Sequence, residues 1–216
     1  MNMKEEIQSC LRKSLASDLD SELAPRGFVR HSSLLLYVRK TASSIQKIDV
    51  AIEVHPKDRP SSAAALYPWL EVRIAPLDRL AAELARSKLI NMPLSPICTL
   101  REPIEFTAAK KMNARWFIFQ PDSVSAAVHE MRSFLLQWTL PFLDVYTTAA
   151  DVCSAYDRKD ERVINDTTQM LVVIAAMVAC KRVDDAKSLA EQKFGKPGLR
   201  PRYQHLFDYL KNLDPA

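Results

Sequence analysis

Between Lys4 and Leu23 the apolar residues Ile7, Cys10, Leu11, Leu15, Leu19 and Leu23 recur at three- and four-residue intervals, and the chain then runs into Pro25, Gly27, Phe28, Val29 and Arg30. Such spacing gives an α-helix one buried stripe and leaves Lys4, Glu5, Arg12, Lys13 and Asp18 in water. Pro25 ends the helix, because proline disfavours helical geometry in the residue before it and brings no N–H of its own. Gly27 is one of only three glycines in 216 residues, which makes its position informative: it is expected to supply a positive φ for the turn into a strand. Phe28 then drops into the core beneath the helix, and Arg30 is the member of the group expected to reach a partner.

Three strands are expected next, over residues 33–40, 45–55 and 69–74, each rich in β-branched or aromatic residues and bounded by Ser, Pro or charged clusters. The second alternates most cleanly, with Ile48, Val50, Ile52 and Val54 on one face and Asp49, Ala51, Glu53 and His55 on the other. Leu70, Val72 and Ile74 repeat the pattern against Trp69, Glu71 and Arg73. Connections this short favour an antiparallel meander, since parallel strands need a crossover of a dozen or more residues. A helix from Leu77 to Arg86, a loop with Pro93 and Pro96, and two further strands over 98–106 and 116–120 bring the sheet to about five strands, the last two joined through the basic stretch Lys110, Lys111, Asn113 and Arg115.

Beyond Pro121 the pattern becomes helical. Val128, Met131, Leu135 and Trp138 form a stripe that Pro141 is expected to break or kink. Thr148 with Asp151, and Asp166 with Gln169, have the spacing of capping boxes. The apolar run from Met170 to Cys180 is about half of the ~20 residues a membrane-spanning helix requires, so it is read as a core helix. Return helices follow at 184–194, ended by Gly195, and 203–213. The fold class is therefore α+β: an antiparallel sheet of about five strands flanked by helices, with an all-helical C-terminal extension. The charged stretch from Asp157 to Glu161 marks the expected boundary, giving an α+β domain over 1–157 and a helical extension over 158–216.

Residues 1–20 mix charges through their apolar positions, unlike the continuous apolar core of a signal peptide, and the expected location is the bacterial cytoplasm. Cys10, Cys98, Cys153 and Cys180 show neither CxxC nor Cys/His ligand spacing, so they are read as buried thiols, with no metal and no disulfide framework. No GxGxxG or GxxxxGK[ST] loop and no HxH, HxxxH or HExxH pattern occurs, and no cofactor is expected. The chain is read as non-enzymatic.

Two surfaces remain. If the first three strands are neighbours, Tyr37, Arg39, Asp49, Glu53, His55, Trp69, Glu71 and Arg73 project from one side, and large aromatics with arginine are the usual anchors of a protein interface. The same residues also suit a solvated face whose charges cross-pair. Glu53, His55 and Glu71 form an acid/base set only if they converge in a pocket. Near the C-terminus, Lys193, Lys196, Arg200, Arg202 and His205 lie beside Phe194, Tyr203 and Phe207, a combination that binds phosphates and stacks bases, or simply complements a helix C-terminus. The net charge of +4 is too small to favour nucleic acid without such a local patch.

The order of Leu23, Gly27, Phe28 and Arg30, a strand meander, Trp116 and Phe117, and then Leu140, Pro141, Phe142 and Leu143 resembles an uncharacterised bacterial family of small α+β domains of unknown function. In that family a GF-x-R element follows the first helix and a tryptophan strand precedes a helix with LP-x-L. Similar domains are encoded beside toxin genes in polymorphic-toxin and contact-dependent growth inhibition loci. The resemblance covers roughly residues 15–157, carries no catalytic residues, and implies an immunity protein that binds a cognate toxin domain, with no membrane partner. The alternative from the residues themselves is a nucleic-acid-associated regulatory protein using the 193–205 patch.

Overall fold

The computed structural model describes residues 3–31, 35–86, 97–110, 112–162 and 166–213. The expected loop with Pro93 and Pro96, the start of the strand expected at 33 and Lys111 lie outside these. The chain divides into two compact units, Met1–Val72 with Arg101–Val145, and Arg73–Leu100 with Tyr146–Ala216. This division differs from one at residue 157: the helical unit starts earlier, at Tyr146, and takes a segment from the middle of the chain.

In the first unit the N-terminal helix runs through α1 (Met3–Ser14), a π-helical turn at Leu15–Leu19 and α2 (Asp20–Leu23). Ile7, Leu11, Leu15, Leu19 and Leu23 are all buried. Their four-residue spacing explains the π turn. At 3.6 residues per turn each step of four overshoots a full turn by about 40°, so the stripe drifts around an α-helix. A turn closed by i→i+5 bonds rotates less per residue and brings Leu19 and Leu23 back under the stripe. A 3₁₀ turn at Ala24–Arg26 follows, and Gly27 closes it at φ 81° with its N–H bonded to the Ala24 carbonyl, as the sequence suggests.

Six antiparallel strands form the sheet: β1 (Phe28–His31), β2 (Leu36–Lys40), β3 (Ile45–Val54), β4 (Ala64–Arg73), β5 (Leu100–Pro103) and β6 (Trp116–Ile118). The first five are neighbours in chain order and β6 pairs with β4. β1 was not among the expected strands; four residues are too short for alternation to stand out, and its pairing with β2 creates it. β4 begins five residues before the expected strand, at Ala64. Ile48, Val50, Leu66, Leu70 and Val72 are buried on one face, in the phase read from the sequence, whereas Ile52 is only partly buried and Val54, at the end of β3, is exposed.

A second long helix covers that same face, running through α4 (Val124–Phe134), a π turn at Leu135–Thr139 and α5 (Leu140–Val145). It does not stop at Pro141. Proline removes one N–H and crowds the carbonyl one turn earlier, and the wider turn immediately before it gives that ring room. α4 packs on α1 and on β6, where the Trp116 and Phe134 rings meet edge-on at 5.8 Å.

The second unit is helical: α3 (Ala75–Leu84), α6 (Ala149–Asp157), α7 (Thr167–Ala179), α8 (Val183–Phe194) and α9 (Gln204–Lys211). α7 is its centre, buried without a break from Gln169 to Met177 and packed against α3, α6 and α8. A helix apolar on every side must lie inside. Thr148 and Asp151 form the expected capping box, and Asp166 caps α7 through the Gln169 N–H. Among the described residues no helix is long and apolar enough to cross a membrane.

Candidate functional site

The expected face of eight residues separates into two groups. Tyr37 pairs with Ile48 and Arg39 with Gln46, so both project from the covered face, opposite to Glu53, Trp69 and Glu71. This corrects their assignment to the polar side. Leu34, Leu35 and Leu36 carry no alternation, so the phase of β2 comes only from its register with β3. Tyr37 is 1 % exposed, and its hydroxyl donates to Asp20 Oδ1 at 2.7 Å. Arg30, expected to be free, bonds the same carboxylate through Nε (3.0 and 3.1 Å) and Nη2 (2.9 Å). Burial first, then the bond to Asp20, push the Tyr37 phenol well above its ordinary range. Val29, 70 % exposed, carries the one side chain of the Gly27–Arg30 group that is largely exposed to water.

Arg39 is equally committed. Its Nε donates to Gln46 Oε1 at 2.7 Å, its Nη1 lies 2.7 Å from Asp144, and the guanidinium sits 4.7 Å from the Phe28 ring centre. Gln46, fully buried within β3, passes the connection on by donating Nε2 to the Leu143 carbonyl at 2.6 Å. A buried amide needs both ends satisfied, and here one end meets the sheet and the other meets α5.

On the face that the unit's own helices leave uncovered, rings and guanidinium groups form a layer. The Tyr67 and Trp69 rings meet edge-on at 5.6 Å. Arg115 lies 5.3 Å from the Tyr67 centroid and 5.9 Å from that of Phe117, while Arg59 lies 5.0 Å from Phe117 and 5.3 Å from Phe119. The Arg115 guanidinium is held by Glu53 through Nη2 and by Asp58 through Nη1 at 2.7 Å. Lys47 pairs with Glu71 at 2.8 Å. The β3–β4 hairpin carries Asp58 and Arg59; it is closed by the His55 N–H on the Ala63 carbonyl and turned by Arg59 N–H on Pro56 and Ser62 N–H on Arg59. Tyr67 is held neutral beyond its ordinary range, by burial first and then by the negative charges of Glu105 and Glu102.

Tyr67, Phe117, Phe119, Arg59, Arg115 and Asp58 were not among the expected site residues. Tyr67 carries a legible signal, since the alternation of Trp69 and Glu71 extends back to it through Pro68. Arg59 and Asp58 sit in a loop and Arg115 in a basic stretch, where spacing says nothing about what they meet.

The expected acid/base set does not assemble as a pocket: Glu53 is paired with Arg115, Glu71 with Lys47, and His55 is exposed at φ 52° in the hairpin. Arg73, at the end of β4, belongs to the helical unit, where its Nε bonds to the buried carboxylate of Asp78 at 2.6 Å; Thr99 donates to that carboxylate's other oxygen and accepts from the Ile74 N–H. In the C-terminal patch, Arg200 is bound to both Glu191 oxygens (2.8 and 2.6 Å) and lies 4.1 Å from the Phe207 centroid. Phe194 and Tyr203 pack on each other at 4.4 Å, and His205 Nε2 lies 3.1 Å from Glu83. Lys193, Lys196 and Arg202 are exposed. Among the described residues no three His, Cys, Asp or Glu side chains are grouped to hold a metal ion.

Compared with protein-family models, curated proteins and solved structures, the chain matches none of them.

Proposed function

We propose that this chain is a non-catalytic protein-binding module whose partner docks on the uncovered face of the sheet. The observation that carries this reading is the layer of Tyr67, Trp69, Phe117, Arg59 and Arg115, partly exposed on rigid strands and a hydrogen-bonded hairpin. Aromatic rings and arginines supply most of the energy at protein interfaces, and here they are held in place before any partner arrives, so little ordering entropy is lost on docking. The charges around them are mixed: Glu53 and Asp58 are paired with Arg115 and Glu71 with Lys47, while Lys57 and Arg59 of the hairpin and Asp49 of β3 are exposed, which suits a protein surface with complementary charges of both signs.

The finer reading is an immunity protein that neutralises a bacterial toxin domain in the cytoplasm by covering its active site, supported by the resemblance in Leu23 to Arg30, Trp116, Phe117 and Leu140 to Leu143. The test is to purify the toxin-like protein encoded beside this chain and titrate its activity with it. Stoichiometric inhibition, with association slowed by added salt, supports the reading. Full toxin activity at equimolar chain contradicts the immunity role, and the absence of any complex contradicts the docking role for that partner. Binding of RNA that weakens steeply with salt and is lost on changing Lys193, Lys196 and Arg202 together would favour the C-terminal patch instead.

A further inference from the structure

The sequence separates Cys153 from Cys180, and the helical unit brings them together. Cys153 lies buried in α6, Cys180 is the partly exposed residue that ends α7, and these two helices pack on one another. The corner is held from outside: Arg182, two residues beyond Cys180, donates at 2.8 and 3.0 Å to Asp157, one turn beyond Cys153. Backbone bonds from the Cys180 N–H to Ala176 and the Arg182 N–H to Met177 fix the end of α7. Within this frame the Cys180 thiol lies near enough to that of Cys153 to raise its pKa. Cys10 and Cys98, both partly exposed, are also free thiols; of the four only Cys153 is buried as expected.

We propose that Cys153 and Cys180 form a reversible oxidation site, a dithiol that closes to an intramolecular disulfide on reaction with a low-molecular-weight disulfide such as oxidised glutathione. Cys180, the more accessible of the pair, reacts first. Its thiol gives up its proton and Sγ attacks one sulfur of the oxidant, the oxidant's S–S bond breaks, and the departing thiolate takes the proton. Cys153 then loses its proton and attacks Cys180 Sγ, expelling the second glutathione thiolate, which takes up that proton. Two protein thiols are oxidised and one disulfide is reduced to two thiols. The second step is the slow one, because burial first and then Cys180 push the Cys153 thiol up to about 12, leaving little thiolate to attack. The product ties α6 to the end of α7 by a covalent bond in place of a packing contact.

The test exposes the whole chain to excess oxidised glutathione in mildly alkaline buffer, quenches in acid, alkylates the remaining thiols and maps them by mass spectrometry. The expected product is a Cys153–Cys180 disulfide, with the thermal midpoint raised by roughly 5–10 °C and restored by reductant. Cys153→Ser should accumulate glutathione on Cys180, and Cys180→Ser should leave the buried Cys153 unmodified. A stable glutathione adduct on Cys180 of the unaltered chain, or alkylation of both Cys153 and Cys180 after oxidant exposure, would overturn the proposal.

Discussion

The two faces of the sheet in the first unit carry similar residue types and use them differently. On the covered face Tyr37, Arg30, Arg39 and Gln46 are locked to Asp20, Asp144 and the Leu143 carbonyl, each to a group on a helix that packs there. On the other face Tyr67, Trp69, Phe117, Arg59 and Arg115 contact mainly one another, while Glu53 and Asp58 hold Arg115. Aromatic and arginine composition alone therefore does not mark a functional surface. What distinguishes the two faces is where each polar group finds its partner: across to a helix, where it specifies the fold, or sideways within the face, where it orders the layer on which docking is proposed.

Substitutions should separate the two faces, with the largest stability loss on the covered side. Ile48→Ala or Leu19→Ala removes a fully buried side chain and should cost about 2–5 kcal/mol in urea unfolding, while the folded fraction keeps its affinity for the partner. Gln46→Leu leaves the Arg39 Nε and the Leu143 carbonyl without their shared amide, and a loss of about 1–3 kcal/mol is expected by the same measurement. Gly27→Ala has room for its methyl group, the nearest atoms being Arg39 side-chain carbons at 3.8 Å, yet it must adopt φ 81°; the expected cost is about 1–2 kcal/mol. A cost near zero would show that the turn into β1 can relax.

Tyr37→Phe gives a pH-dependent contrast. The Tyr37 phenol titrates higher in the folded state than in the unfolded chain, from burial first and then its bond to Asp20. Its contribution is therefore complete below a pH of about 10 and is lost as pH rises above that, toward the folded-state value. Urea midpoints measured from neutral to strongly alkaline pH should fall less steeply in Tyr37→Phe, although Tyr146, buried and bonded to Asp160, keeps a similar dependence of its own. A smaller effect than at Ile48 or Leu19 is expected at Trp69→Ala on the uncovered face, about 1–2 kcal/mol, because the ring is only partly buried and loses its edge contact with Tyr67.

The contrast between the faces also marks how far the sequence is legible. The stripe from Ile7 to Leu23, the turn at Gly27, the alternation of β4 and of β3 as far as Val50 and the caps at Thr148 and Asp166 are local patterns, and the structure repeats them. The phase of β2 is not local: after three leucines only the pairing of Tyr37 with Ile48 decides it. Arg115 meets Glu53, Asp58 and Tyr67 because β6 pairs with β4, a neighbour that no periodicity connects to it. α3 likewise joins α7 across a long stretch of the chain, and Cys153 and Cys180 come near each other only because α6 packs on α7. Elements follow from spacing; faces, partners and sites follow from register and packing.

The most direct test of the central claim is one calorimetric titration of the partner into three proteins: the unaltered chain, Trp69→Ala on the uncovered face and Gln46→Leu on the covered face. If the uncovered face docks the partner, Trp69→Ala weakens Kd by about 30-fold or more while the chain stays folded, as expected for a central aromatic anchor. Gln46→Leu, though less stable, binds with Kd close to that of the unaltered chain. A Kd unchanged by Trp69→Ala would contradict the assignment.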